Sequence, residues 1–346
     1  MSRVRNFRPK FSAAAAALAT LLAFTWSAKA EDGITFTAWG GMVQDAQKQT
    51  WADAFEAKHG IKVLQDGPTD YGKFKAMVDS GNVVWDVVDV EGDFAHQAAA
   101  QGLLEPLDYS VIKKDEVDPR FTFDHGVGAY YFSFVLGYNK DVLGDKTPKG
   151  WAAMFDTKTY PGKRTLYKWS SPGVLEMALL ADGVTPDKLY PLDLDRAFKK
   201  LDTIKQDIVW WGSGAQSQQL LASGEASMGS FWNGRVHLVQ QTGANVGISW
   251  DQNLADADFL VIPKGSKHKE AAMKFIALAV GPKAQADFTV KTSYAPINLK
   301  SGALLPEAIQ SALPSKHSES QITLDLVYWA KNRDAIGERW YAWQAK

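Results

Sequence analysis

The chain has 346 residues, a formal charge of −1, 46 % hydrophobic and 12 % aromatic residues, and no cysteine. The missing cysteine excludes disulfides and thiol catalysis, and the near-neutral, unclustered charge gives no reason to expect nucleic acid as a partner. The length exceeds the ~250 to 300 residues beyond which chains usually form more than one core, so two lobes are expected.

Arg3, Arg5, Arg8 and Lys10 precede an Ala-rich apolar stretch from Phe11 to Trp26 that ends in Ala28-Lys29-Ala30. This is the pattern of a secretory signal (residues 1–30) cleaved after Ala30. Its apolar core is shorter than the ~20 residues a spanning helix needs. Export to a Gram-negative periplasm is expected, with no cysteine at the cleavage point to carry a lipid. Removal of Arg3, Arg5, Arg8, Lys10 and Lys29 takes the formal charge from −1 to −6.

ITFTA (34–38) alternates like a strand and ends at Trp39-Gly40-Gly41. Val43, Ala46, Trp51, Ala54 and Phe55 then share a helical face, Gly60 stops the helix, and Ile61 to Leu64 reads as a strand, giving a βαβ unit. A helix carrying Phe74, Met77 and Val78 runs to Gly81. VVWDVVDV (83–90) is apolar enough for a strand buried on both faces, and a helix over 93–101 stops at Gly102. Alternating strands and helices predict open, mostly parallel sheets flanked by helices. Ligands of such sheets sit at the carboxyl ends of the strands, here Trp39-Gly40 and Glu91-Gly92-Asp93.

A second α/β set begins after Asn139. Its strand runs from Arg164 to Trp169, with Ser171 as helix cap, Pro172 at the first helical position and Gly183 as the stop. Helices over 193–206 and 216–223, strands near 208–211 and 226–232, and a helix from 234 to Gly243 complete it. ADFLVIP (257–263) reads as a strand of return to the first lobe, followed by helices over 268–280 and 283–291 and a last helical stretch from 322. The expected division is 31–137 and 259–320 for one lobe, 138–258 for the other, and 321–346 as a helical brace. Two crossings imply a hinged cleft.

Several local signals have ordinary explanations. Residues 67–73 match a phosphate loop as far as Lys73, but Phe74 stands where a Ser or Thr must hold Mg²⁺, and a helix start at Tyr71 accounts for them. The histidines (59, 96, 125, 237, 268, 317) never fall at i, i+4 with an acid partner, so no zinc site is expected. Tyr130-Tyr131 is similar to the tyrosine pair of ferric-ion binders, yet aromatic packing explains it. Without a G-x-S-x-G elbow, nothing demands catalysis, and neither metal nor cofactor is expected; an exported bilobal enzyme would have only Ser170 and Ser171 as candidate nucleophiles.

Beyond these readings, the chain resembles the polyamine-type periplasmic substrate-binding proteins of ABC importers. The resemblance is carried in order by the strand into Trp39, GNVVWDVVDVE (81–91), GLLEPLD (102–108), LGYNKDVL (136–143), GEASMGSFWNGR (224–235), DFLVIPKGSKHKEAAMKFI (258–276) and SYAPIN (293–298). It implies a type II two-lobed binding protein with two hinge crossings, a monomer that captures a small molecule and hands it to a membrane permease. Trp39, Trp232, Asp258 and Tyr294 fall where polyamine binders place aromatic walls and the carboxylate that grips an ammonium. There are two departures. Lys168-Trp169-Ser170-Ser171 has no acid where those binders have a second one, and Ala330 stands at the terminal-helix position where they use an amide.

Arg235 sits in the first turn of a helix, where backbone N–H groups already favour an anion, and a guanidinium can hold a carboxylate bidentately. It would repel a second ammonium by about 4 kcal/mol at contact distance in an effective dielectric near 20. Arg235 and Asp258 therefore read as a carboxylate clamp and an ammonium clamp for a short ω-amino acid. Binding proteins for γ-aminobutyrate within the family are similar in that respect. Putrescine, spermidine or a betaine-like quaternary amine are the alternatives, although a betaine has no N–H for Asp258. Tyr131, Trp169, Ser170, Glu91 and Gly92 complete the candidate lining, each with packing or capping as its ordinary explanation.

Overall fold

The computed structural model describes Met1 and residues 33–346. Apart from Met1, the expected export signal lies outside the described residues. The strands are β1 (Ile34–Thr37), β2 (Val63–Asp66), β3 (Val87–Glu91), the short β4 (Thr122–Phe123), β5 (Gly126–Asn139), β6 (Lys163–Tyr167), β7 (Ile208–Trp211), β8 (Ala226–Trp232), β9 (Val246–Val261) and the short β10 (Ile322–Thr323). They join in the order β2-β1-β3-β9-β5-β8-β6-β7. At each end of this sheet the strands are parallel, as helical crossovers require: β1 with β2 and β3, and β6 with β7 and β8. Between the two parallel sets run β5 and β9, antiparallel to each other over most of their length.

The middle of the sheet departs from the sequence reading in length. A strand is predicted from Ala257, but β9 begins at Val246 and spans 16 residues. SWDQNLADAD looks like a polar loop because its apolar positions are sparse. Its backbone is nonetheless held by the ladder to β5, with register shifts between Gly128 and Tyr130 and between Phe134 and Leu136. At the other strand in question the change is a shortening. β3 starts at Val87, not Val83, because Asp86 turns its carboxylate to the Thr35 N–H (2.9 Å) and the Ser266 hydroxyl (2.7 Å) and ends the extended run.

Helix starts follow backbone demands that side-chain pattern conceals. Ser171 and Pro172 do not cap a helix: the helix Val174–Ala181 begins after Gly173, whose φ of 116° no helix can contain. The Glu176 carboxylate accepts the Gly173 N–H at 2.9 Å. Asn233-Gly234 opens the helix Asn233–Gln241, one residue earlier than the predicted start at 234. A Cβ on Gly234 would lie 2.5 Å from the Thr292 carbonyl and the Tyr294 ring, so only glycine lets this helix approach the 292–294 segment.

The terminal helix Leu326–Gln344 is capped by Asp325, which accepts the Tyr328 N–H at 2.8 Å. It is pinned by indole N–H groups: Trp329 to Glu176 (2.6 Å), Trp340 to the Lys168 carbonyl (2.8 Å) and Trp343 to Asp202 (2.8 Å). On its other side it packs along the helix Gly92–Ala100. It thus touches elements attached to both parallel sets. Trp329 is fully buried, so Trp329→Ala should lower unfolding free energy by about 3–5 kcal/mol, read as a shift of the urea midpoint; a shift under ~1 kcal/mol would show that the helix is not anchored there.

Candidate functional site

Six of the ten candidate residues converge. Trp39, Glu91, Trp232, Arg235, Asp258 and Tyr294 line one enclosed pocket, together with Tyr130 and Phe132. The topology makes this convergence inevitable once the register is set. Trp39 follows the carboxyl end of β1, Glu91 ends β3, and Glu91 pairs directly with Asp258 on β9. Tyr130 pairs with Asp258 from the other side, on β5. Trp232 ends β8, and Arg235 lies one turn later. The space between them is ≈ 10 Å³ for the centre of a water-sized sphere, about the room of one water. These side chains are drawn together.

At one end stands Arg235, only 2 % exposed. Its sole side-chain hydrogen bond among the described residues is from Nη1 to Gln218 Oε1 at 3.4 Å, and Nε has no partner. A buried cation without a carboxylate is costly. The guanidinium fits because two glycines make room: a Cβ on Gly214 would lie 2.3 Å from Cζ, and one on Gly41 3.5 Å from Nη1. The indole N–H groups of Trp39 and Trp232 are also buried without partners. The Trp39 indole is directed toward the Asp89 carboxylate, whereas the Arg235 guanidinium and the Trp232 indole remain as unpaired donors suited to an anion.

The opposite end is acidic. The Tyr130 hydroxyl donates to Asp258 Oδ2 at 2.6 Å and stands 3.3 Å from Asp89, which also accepts from Gln47. Burial, then the neighbouring Asp89 charge, push the Asp258 carboxyl well above the usual range. Burial likewise raises Asp89 to about 7. Glu91 is pushed up to about 6 by burial and by Asp93, against the pull of Arg333. No basic side chain pairs with Asp89 or Asp258 among the described residues. Aromatic rings form the walls: Tyr130 stacks on Tyr294 at 4.8 Å, and Trp232 meets Phe132 and Tyr167 edge-on at 5.9 and 5.4 Å. Such a site suits a short guest with a carboxylate at one tip, a protonated amine at the other and methylenes between.

Four candidates lie elsewhere. Tyr131 faces the other side of β5 from Tyr130 and stacks on Phe121 at 5.4 Å. Trp169 is 44 % exposed, with its N–H on the Gly212 carbonyl and Lys168 over its ring. Ser170 is buried against the terminal helix, its N–H donating to the Tyr341 hydroxyl. Gly92 supplies a close approach and no chemistry, since a Cβ there would lie 2.9 Å from the Ala257 carbonyl. Sequence reasoning missed Phe132, Asp89, Tyr167 and Arg333, and it assigned Tyr130 to packing. The alternation 130, 132 on β5 was the available signal. Ser171 turns inward instead of capping, and its hydroxyl donates to Glu91 at 3.1 Å.

A larger open hollow of ≈ 610 Å³ lies among Thr50, Lys58, Lys113, Lys274, Pro282 and Asn298. Its acids, Glu116 and Asp287, are already paired with lysines, so it lacks the unspent buried charge that marks the enclosed pocket.

Residues 50–314 match the family described as bacterial extracellular solute-binding protein. The chain belongs to that family. This solute-binding chain is 36 % identical over 335 residues to the γ-aminobutyric acid-binding protein of Pseudomonas aeruginosa, covering 94 % of this chain and 95 % of that one. It is 27 % identical to spermidine/putrescine-binding periplasmic protein 1 of Haemophilus influenzae, covering 86 % and 80 %. A solved GABA receptor, 61 % identical, superposes with a TM-score of 0.85 over 91 % of this chain and 98 % of that chain. The neighbours are type II periplasmic binding proteins, and the α/β architecture expected from sequence is theirs. These relatives bind solutes, and no helix among the described residues is long and apolar enough to cross a membrane.

Because the Gly214 contact involves only the tip of a flexible side chain, Gly214→Ala should fold normally yet push the guanidinium of Arg235 out of its cradle. A crystal structure of the variant with Arg235 in place would refute this account of the glycine.

Proposed function

We propose that this protein is the periplasmic substrate-binding subunit of an ABC importer, exported by residues 1–30 with cleavage after Ala30, and that it captures γ-aminobutyrate. It acts as a monomer without catalysis, closes two lobes (31–137 with 259–320, and 138–258) around the ligand beneath the 321–346 brace, and delivers it to a membrane permease. One observation carries the ligand reading: a buried guanidinium without an acid partner faces, across one aromatic-walled pocket, a carboxylate without a basic partner. The names of the two most similar proteins described above point the same way.

In this mechanism Arg235 takes the ligand carboxylate, helped by the indole N–H group of Trp232. Asp258, oriented by the Tyr130 hydroxyl, takes the ammonium, with Glu91 beside it. Tyr294, Phe132 and Trp232 cover the methylenes. Ligand stabilises the closed arrangement because only there do residues from both sides reach it. A diamine would place its second cation against Arg235 and leave the Trp232 indole donor unpaired. A quaternary amine cannot donate to Asp258.

Calorimetry should therefore show γ-aminobutyrate binding far more tightly than putrescine or glycine betaine. Each hydrogen bond to a charged group contributes about 1.5–3 kcal/mol, so Arg235→Ala should weaken γ-aminobutyrate binding by ~100-fold or more. Tighter binding of putrescine by the wild type would overturn the reading.

The acid end sets a pH dependence. Asp89, Glu91 and Asp258 all titrate above the usual carboxylate range, so each is more protonated at pH 5 than an exposed carboxyl, and a neutral acid attracts an ammonium weakly. Affinity should fall as pH drops from about 8 through 7 and 6, while the ligand's own charges stay constant over that range. Affinity that is flat over this window, or that rises on acidification, would contradict the assignment of the ammonium to this end.

A further inference from the structure

The terminal helix sends one charged side chain inward beside the pocket. Arg333 is 14 % exposed, is ion-paired with Asp93, and places Nη2 3.7 Å from Glu91 Oε2. Its guanidinium lies 5.1 Å from the Tyr71 ring, which stacks on Phe94 at 3.7 Å. Arg333 does not line the pocket. Its neighbour Glu91 does.

Glu91 is held from every side. Oε1 receives the hydroxyls of Ser171 (3.1 Å) and Tyr167 (3.4 Å), and Oε2 receives that of Tyr71 (3.1 Å) and faces Arg333. Tyr167 and Ser171 belong to β6 and the loop after it, Tyr71 to the helix Tyr71–Ser80, and Arg333 to the terminal helix. Asp93 Oδ1 is buried without a partner, so among the described residues Arg333 is the counter-charge to both acids. The acid pair at the ammonium end thus has a single counter-charge among the described residues, a cation 240 residues away from Asp93 in sequence, on a helix that touches elements attached to both parallel sets.

We propose that Arg333 is a positioning residue for ligand capture: acting through Glu91, it makes the terminal helix part of the binding site. The choice of γ-aminobutyrate as its probe rests on the function proposed above. The titratable and charged groups facing Glu91 are Tyr71, Tyr167, Asp93, Asp256, Asp258 and Arg333. Burial and Asp93 raise Glu91 to about 6, and Arg333 is the charged group that draws it down. Without Arg333 the carboxyl should take up a proton at a pH where the wild type keeps the charge.

The test is calorimetric titration of γ-aminobutyrate between about pH 6 and 8.5 into the wild type, Arg333→Gln and Arg333→Lys. Arg333→Gln should weaken binding by ~10-fold more near the acid end of that range than near the alkaline end, moving the midpoint of the pH profile up by ~1 unit or more, and Arg333→Lys should restore it. A merely structural role would weaken binding equally across the range; that result, or unchanged binding, overturns the proposal. Should Arg333→Gln fail to fold, Asp93→Asn removes the acid that raises Glu91 and must move the midpoint the other way; an unmoved midpoint overturns the proposal equally. A wild type that binds no γ-aminobutyrate overturns the ligand reading instead, and the Arg333 comparison is then read with putrescine.

Discussion

The pocket is organised around one unpaired charge. Arg235 is buried, its Nε is without a partner, and its neighbours are two glycines, an amide and aromatic rings. Proteins rarely leave a guanidinium so. The cost is tolerable only if something else supplies the anion, or if the two sides of the pocket part and water reaches the charge. Either answer ties the charge to motion: a buried, unpaired guanidinium makes the drawn-together state unfavourable until an anion or water reaches it. The glycines at 41 and 214 belong to this arrangement, because they let a large cation enter a space that a methyl group would fill.

The acid end follows a different logic. Four carboxylates, Asp89, Glu91, Asp93 and Asp258, lie on and after adjacent strands, and only Arg333 among the described cations meets any of them. The protein moderates the excess by hydroxyl donation from Tyr71, Tyr130, Tyr167 and Ser171 and by raised proton affinities. Tyrosine suits this task because its own ionisation is suppressed by burial and nearby acids, leaving a neutral donor. The two ends are therefore asymmetric in kind: the cationic end carries a fixed charge, and the anionic end an adjustable one.

Sequence made the frame and the cationic end legible and the rest only in part. Trp39, Trp232 and Arg235 are readable because each stands at a strand-to-helix junction, the place where side chains of an open sheet meet a ligand. Asp258 and Glu91 are readable as polar residues in apolar strands. Tyr130 and Tyr131 are separated only by parity, and parity on β5 depends on a register shift between Gly128 and Tyr130 that no periodicity announces. Ser171 looks like a cap until the left-handed Gly173 displaces the helix start. Arg333 has no local signal at all, since its meaning comes from two acids far away in the chain. The length of β9 was hidden by its polar composition, while its backbone is held by the long ladder to β5.

The long central strands also bear on how such a molecule can be divided. β5 and β9 pair with each other from Gly126–Val261 to Asn139–Val246, and each parallel set is completed by one of them: β3 rests on β9, and β8 on β5. Each set is a contiguous stretch of chain, but neither has a closed edge of its own. A fragment cut at either strand would expose a long unpaired edge, an invitation to aggregation. Recombination between relatives that respects the architecture must exchange insertions between β5 and β9, leaving that ribbon whole; a new specificity is most readily acquired by grafting the inserted set as one cassette.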